Sequence, residues 1–97
     1  MNNAGPLKGI KILDLRKNFI GDQGLEAISQ SPFFKELQEL DLRSNGITRL
    51  GMKSFGQSKN FKFLVKVDLR SNKLGKRWEE KIRESGNFPN LTDVKTM

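Results

Sequence analysis

Arg16, Arg43 and Arg70 stand 27 residues apart, and each follows an aspartate by two positions: Asp14, Asp41 and Asp68. A guanidinium is a planar fork that grips a carboxylate or a phosphate through two parallel hydrogen bonds. Three such forks at one interval can receive the acidic groups of an extended partner. The same residues also allow a quieter arrangement, in which each Asp-x-Arg neutralises its own neighbours. Like charges opposite one another on adjacent strands are unfavourable. Interleaving an aspartate row with an arginine row relieves this by diagonal pairing, each exposed pair contributing about 0–1 kcal/mol. Both arrangements remain open on the sequence. A more variable row, Ile12, Glu39, Lys66 and Asp93, keeps the same interval and is less easily explained by repetition alone. It is the better place to look for specificity. Lys17, Ser44 and Ser71 flank the motif.

A second candidate is electrostatic. The chain carries 18 basic and 11 acidic side chains, a net charge of +7. The excess lies in residues 51–97, where Lys73, Lys76, Arg77 and Lys81 form an alternative basic patch beside Trp78. A positive field of this kind attracts nucleic acid, acidic proteins or anionic lipid. Trp78 can stack on a base or a partner side chain, or pack against the last coil. Catalytic chemistry finds little support. There is no histidine and no cysteine, so the commonest metal ligands and nucleophile–base pairs are missing. No cofactor, metal or enzymatic activity is expected.

The elements that must position these residues follow from the repeat. The phrase Leu13-Asp14-Leu15-Arg16-Lys17-Asn18 returns as Leu40-Asp41-Leu42-Arg43-Ser44-Asn45 and as Val67-Asp68-Leu69-Arg70-Ser71-Asn72. A fixed period of this size predicts stacked units, none of which buries its apolar side alone. A first apolar slot holds Leu7, Phe34, Phe61 and Phe88; a second holds Ile10, Leu37, Leu64 and Leu91. A third holds Leu13, Leu40, Val67 and Val94. Alternation around Leu13 and Leu15 predicts a strand, with Ile12, Asp14 and Arg16 on its opposite side. The wider spacing of Leu25 and Ile28, of Met52 and Phe55, and of Trp78 and Ile82 predicts a short helix in each unit. Asp22 and Thr48 are placed to cap the first two helices; the third has no evident oxygen cap. Gly21, Gly24, Gly46, Gly51, Gly56, Gly75 and Gly86 read as residues of turns and helix ends. Asn18, Asn45 and Asn72 read as structural, satisfying backbone groups where each strand turns away.

The strand motif Ile10-x-x-Leu13-x-Leu15-x-x-Asn18-x-Ile20, with copies ending at Ile47 and Leu74, resembles that of leucine-rich repeat proteins. The stretch from Asn18 to Ile28 resembles their helical, ribonuclease-inhibitor-like subclass. The third unit departs from the pattern, because Trp78 and Glu79 replace Gly24-Leu25 and Gly51-Met52. The resemblance implies an α/β fold: a short right-handed solenoid with a parallel β-sheet on the concave face and helices on the convex face. It implies non-catalytic protein–protein interaction through the concave face. The surface residues are then Asp14, Arg16, Lys17, Glu39, Asp41, Arg43, Ser44, Lys66, Asp68, Arg70 and Ser71. The alternative is a nucleic-acid or ribonucleoprotein-associated module using the basic C-terminal half.

The repeats divide the chain into a lead segment 1–6 and a repeat domain 7–97. The domain has full units 7–33, 34–60 and 61–87 and a partial unit 88–97. No apolar run is long enough to cross a membrane, and Met1–Pro6 lacks the regions of a signal peptide. The lack of cysteine favours a reducing, intracellular and cytoplasmic home. Leu7, Ile10, Leu13, Leu15, Ile20, Leu25 and Ile28 are expected to form an open core end, sealed by further repeats of a longer protein, a neighbour or an oligomer contact. Asn87, Asn90, Thr92, Asp93 and Lys95 make the last strand polar, as suits an edge.

Overall fold

Equivalent positions one period apart fall side by side. The computed structural model describes residues 9–97. The third apolar slot becomes the centre of four short parallel strands in the order β1-β2-β3-β4. They are β1 (Ile12–Asp14), β2 (Glu39–Asp41), β3 (Lys66–Asp68) and β4 (Asp93–Lys95). Leu13 pairs with Leu40, Leu40 with Val67, and Val67 with Val94. The hydrogen bonding outlasts the strands. Lys17 N–H donates to Arg43 O at 3.0 Å, and Leu69 N–H to Lys95 O at 2.7 Å. Each Asp-x-Arg is therefore held at the same level as the next.

Three helices cover the other face: α1 (Gly21–Gln30), α2 (Arg49–Gln57) and α3 (Trp78–Glu84). A short 3-10 turn at Pro32–Phe34 returns the first unit to the sheet. The core lies between the layers. Leu25, Leu37, Leu42, Ile47, Met52, Phe55, Phe61, Leu64, Leu69 and Ile82 are fully buried. Each contributes about 1.5–3 kcal/mol of apolar burial. The first apolar slot supplies an aromatic stack: the Phe61 and Phe88 rings lie 6.0 Å apart and nearly parallel, and Phe55 sits 5.0 Å from Phe61. Leu7 lies outside the described residues.

Three expectations are corrected. Asp22 does not cap α1. The cap position is Ile20, with no side-chain bond, and Asp22 lies within the first turn. Its carboxylate instead crosses to the next unit, accepting from Thr48 N–H at 2.7 Å and from the Thr48 hydroxyl at 2.6 Å. Thr48 does cap α2, accepting from Leu50 N–H. Gly24 and Gly51 are helical rather than turn residues. Gly51 is needed for close approach, since a Cβ there would stand 2.5 Å from Asp22 Oδ1 and 3.1 Å from Asp22 Cα. Finally, Leu25 and Ile28 are not part of an open end. They are buried because α2 packs against α1; Ile10, Leu13, Leu15 and Ile20 are half-buried.

The third unit differs as its sequence suggests. Position 78 matches Gly24 and Gly51, and there Trp78 carries a large ring. It packs beside α2, with its Cζ3 edge near Gly56. Helix α3 accordingly touches α2 much less than α2 touches α1. The residue at its N-cap position, Arg77, has φ 67° and offers no side-chain cap.

Candidate functional site

The sheet face opposite the helices is built from three rows in register. Ile12, Glu39, Lys66 and Asp93 form the first, and Asp14, Asp41, Asp68 and Lys95 the second. Arg16, Arg43 and Arg70 follow. A shallow hollow of about 280 Å³ lies over Ile12, Glu39, Lys66 and the aspartates.

The arginines and aspartates adopt the self-neutralising arrangement. Arg16 Nε and Nη2 donate to Asp14 at 3.0 and 2.9 Å. Arg43 Nη2 meets Asp41 at 2.7 Å while its Nε lies 3.4 Å from Asp68 of the next strand. Arg70 Nη2 meets Asp68 at 2.7 Å. Each arginine also donates its backbone N–H to its own aspartate. The motif is thus a closed unit of fork and main chain, cross-linked diagonally to its neighbour. The Arg70 side chain holds the Asp68 carboxyl below the ordinary range, overcoming its desolvation. The Arg16 side chain does the same for Asp14. The Arg43 and Arg70 guanidiniums are raised in turn by Asp41 and Asp68 respectively. Asp22 differs: desolvation raises it, but the Thr48 hydroxyl and the N–H groups of Thr48 and Gly51 together bring it below the ordinary value.

The first row is otherwise. Asp93 pairs with Lys95 at 3.4 Å. Among the described residues, Glu39 and Lys66 join no ion pair, and both are exposed. Ile12 beside them is 67% exposed. Lys17, Ser44 and Ser71 occupy the bend that ends each strand, with φ of 56°, 56° and 61°. Such left-handed backbone is uncommon for residues other than glycine, so position as well as chemistry constrains these three. The asparagine after each bend supports it. Asn45 is 1% exposed; its Oδ1 accepts from Asn18 N–H and Ile20 N–H, and its Nδ2 donates to Leu15 O and Arg43 O. Asn72 repeats the pattern. The structural reading of the asparagines holds.

Of the basic patch, Lys73, Lys76 and Lys81 border two adjoining hollows, but Arg77 turns to Glu80 at 3.9 Å. Arg49 and Leu50 join them from α2. The sequence signal for Arg49 and Leu50 is that Leu50 falls outside the apolar stripe of Met52 and Phe55. Trp78 is half-buried, with the Lys81 ammonium 4.5 Å from its ring centre. There is also a second polar ladder. Ser58 Oγ donates to Ser29 O, and Asn60 Nδ2 donates to Ser29 O and Ser31 O. Asn87 repeats Asn60 by donating to Gly56 O. The interval of 27 residues from Asn60 to Asn87 made it visible in advance.

A family model for the leucine-rich repeat matches residues 10–29 and 36–56. These residues carry leucine-rich repeats, and the parallel sheet with its covering helices makes the fold a short α/β leucine-rich repeat solenoid. The matched residues span β1 through most of α2, where strand, asparagine bend and helix recur in step. Leucine-rich repeats generally mediate protein–protein interaction without catalysis. No curated protein gives a significant match to the chain. Among the described residues, no helix is long and apolar enough to cross a membrane, and no group of three or more His, Cys, Asp or Glu side chains could hold a metal ion.

Proposed function

We propose that this leucine-rich repeat solenoid holds a protein partner on its concave sheet face, with Ile12, Glu39 and Lys66 at the centre of the contact. One observation carries the reading. These three side chains stand in register on adjacent strands, exposed and, for the two charges, without ion-pair partners among the described residues. Around them Asp14, Arg16, Asp41, Arg43, Asp68 and Arg70 form a pre-arranged charged frame, with Lys17, Ser44 and Ser71 along one edge. A frame whose side chains are already fixed loses little conformational freedom on binding. Mixed charge on the central row favours partner choice and orientation more than raw affinity.

The repeats 7–33, 34–60 and 61–87 with the partial unit 88–97 act in this reading as one recognition surface. α-Helices opposite the strands support assignment to the ribonuclease-inhibitor-like subclass. The half-buried Ile10, Leu13, Leu15 and Ile20 favour a neighbouring repeat or a second copy at that end.

The test is affinity capture with a tagged chain carrying Glu39→Lys and Lys66→Glu together. Both sites are exposed, so the circular dichroism spectrum and melting temperature should not change. A partner recovered with the native chain should be lost with the variant. Recovery at the native level would remove the central row from the contact.

A further inference from the structure

The groove between α2 and α3 begins with one residue. Where Gly51 lets α2 lie close to Asp22 of α1, Trp78 occupies the same repeat position in the third unit. Helix α3 packs less closely on α2 as a result. The space between them is a groove of about 580 Å³, bordered by Arg49, Leu50 and Lys53 on one wall and Trp78 and Lys81 on the other. A second hollow of about 430 Å³, reaching Lys73, adjoins it through shared Arg49, Leu50 and Leu74. Lys76 lies on the loop between.

The lining has a particular chemistry. Arg49, Lys53, Lys73, Lys76 and Lys81 bring five positive charges to the two hollows, and among the described residues no carboxylate lines either one. None of the five joins an ion pair among those residues. Asp22 is nearby but is bonded to Thr48. Leu50, 66% exposed, lines both hollows, and the half-buried Trp78 lines the larger one with it. Apolar side chains among charges of one sign ask for a ligand of matching pattern.

We infer that this groove is a second docking surface, which takes an acidic peptide segment by seating a bulky apolar side chain against Leu50 and Trp78 with Asp or Glu on either side. Charge complementarity selects the acidic flanks. The leucine decides between an acidic peptide and a nucleic acid. A phosphate backbone has no apolar group to cover it, and the Trp78 ring, with Lys81 over it, is no bare platform for a base. The groove shares no lining residue with the hollow over the concave rows, so the inference stands independently of the concave-face reading.

Fluorescence anisotropy tests it. The probes are a labelled peptide of Asp and Glu around a central Leu-Phe pair, the same peptide with Gly-Gly at its centre, and a labelled single-stranded RNA. The native chain should bind the Leu-Phe peptide near physiological salt, and the Gly-Gly peptide several-fold more weakly. Leu50→Ser should weaken the Leu-Phe peptide to the Gly-Gly level. Lys53→Gln with Lys81→Gln should cost about tenfold or more. Glu39→Lys with Lys66→Glu should leave this binding unchanged, which separates it from the concave face. Four results would overturn the inference: no peptide binding, indifference to Leu50 and to the Leu-Phe pair, loss with the concave-face variant, or RNA binding at least as tight with a steep salt slope. Leu50 and Lys53 are exposed, so circular dichroism should show folded variants. Should the double glutamine variant unfold, Leu50→Ser alone still decides.

Discussion

Arg43 is clamped between carboxylates of two strands, Nη2 at 2.7 Å from Asp41 and Nε at 3.4 Å from Asp68. This guanidinium belongs to the architecture before it can belong to a partner. Arg43→Ala removes the fork from Asp41 and the diagonal contact to Asp68, which keeps Arg70, and should lower the urea unfolding midpoint measurably. Lys66→Ala, on the same face but unclamped, should change stability by no more than about 0.5 kcal/mol. Equal effects would mean that the clamp contributes nothing. Binding variants on this face are therefore best placed at Glu39 and Lys66.

The same clamp sets an acid response. Asp68 has its pKa below the ordinary carboxylate value of about 3.9. In that range the unfolded chain binds more protons than the folded one, so stability rises with pH. The contribution of Asp68 is complete above about pH 5 and is lost as pH falls through its folded value. Asp14 and Asp22 shift in the same direction and add to the slope. Melting temperature should fall on acidification below about pH 5. Asp68→Asn should start lower at neutral pH and fall less steeply. Parallel curves would show that Asp68 titrates alike in both states.

Asn45 and Asn18 occupy equivalent positions with different surroundings. Asn45 satisfies four backbone groups and is buried; Asn18 is exposed and, among the described residues, donates only to Arg16 O. Asn45→Ala should cost about 3 kcal/mol or more, since each buried group left unsatisfied costs about 1–3 kcal/mol. Asn18→Ala should cost about 1 kcal/mol or less. Chemical denaturation of both variants decides it, and similar values would contradict the ladder.

Helical glycines usually invite replacement, because alanine is favoured by about 1 kcal/mol in a helix interior. At Gly51 the sign should reverse. The added Cβ would meet Asp22 Oδ1 at 2.5 Å and its Cα at 3.1 Å, so Gly51→Ala must part α1 from α2 and disturb the Asp22–Thr48 bonds. At Gly56 the nearest atom to an added Cβ is Trp78 Cζ3 at 3.7 Å, an ordinary contact. Gly56→Ala should be neutral or slightly stabilising. Thermal unfolding of the pair gives the comparison, and a stabilised Gly51→Ala would refute the close approach.

Much of the face was legible beforehand. A strict period forces equivalent residues into register, so Asp14, Asp41 and Asp68 had to align once the units stacked. The asparagines were equally readable, because a polar residue repeated at every bend serves the bend. Contacts between units at unequal offsets were not legible. Asp22 reaches Thr48, 26 residues on, rather than its own equivalent, and nothing in the period announces this. The burial of Leu25 and Ile28 depended on how near α2 comes, which Gly51 determines. Trp78 stood out in the sequence as a departure. That it parts two helices and gathers Arg49, Lys53 and Lys81 in one hollow with Leu50 required the geometry.

The concave face can be examined most directly with a photo-crosslinking amino acid at Ile12, compared with one at the exposed convex residue Glu26. Each protein is irradiated in an extract of cells that express the chain. A discrete protein adduct at position 12, missing at position 26 and missing when Glu39→Lys and Lys66→Glu are added, is the predicted result. Adducts at position 26 alone, or identical adducts at both positions regardless of the added substitutions, would contradict recognition through the sheet face.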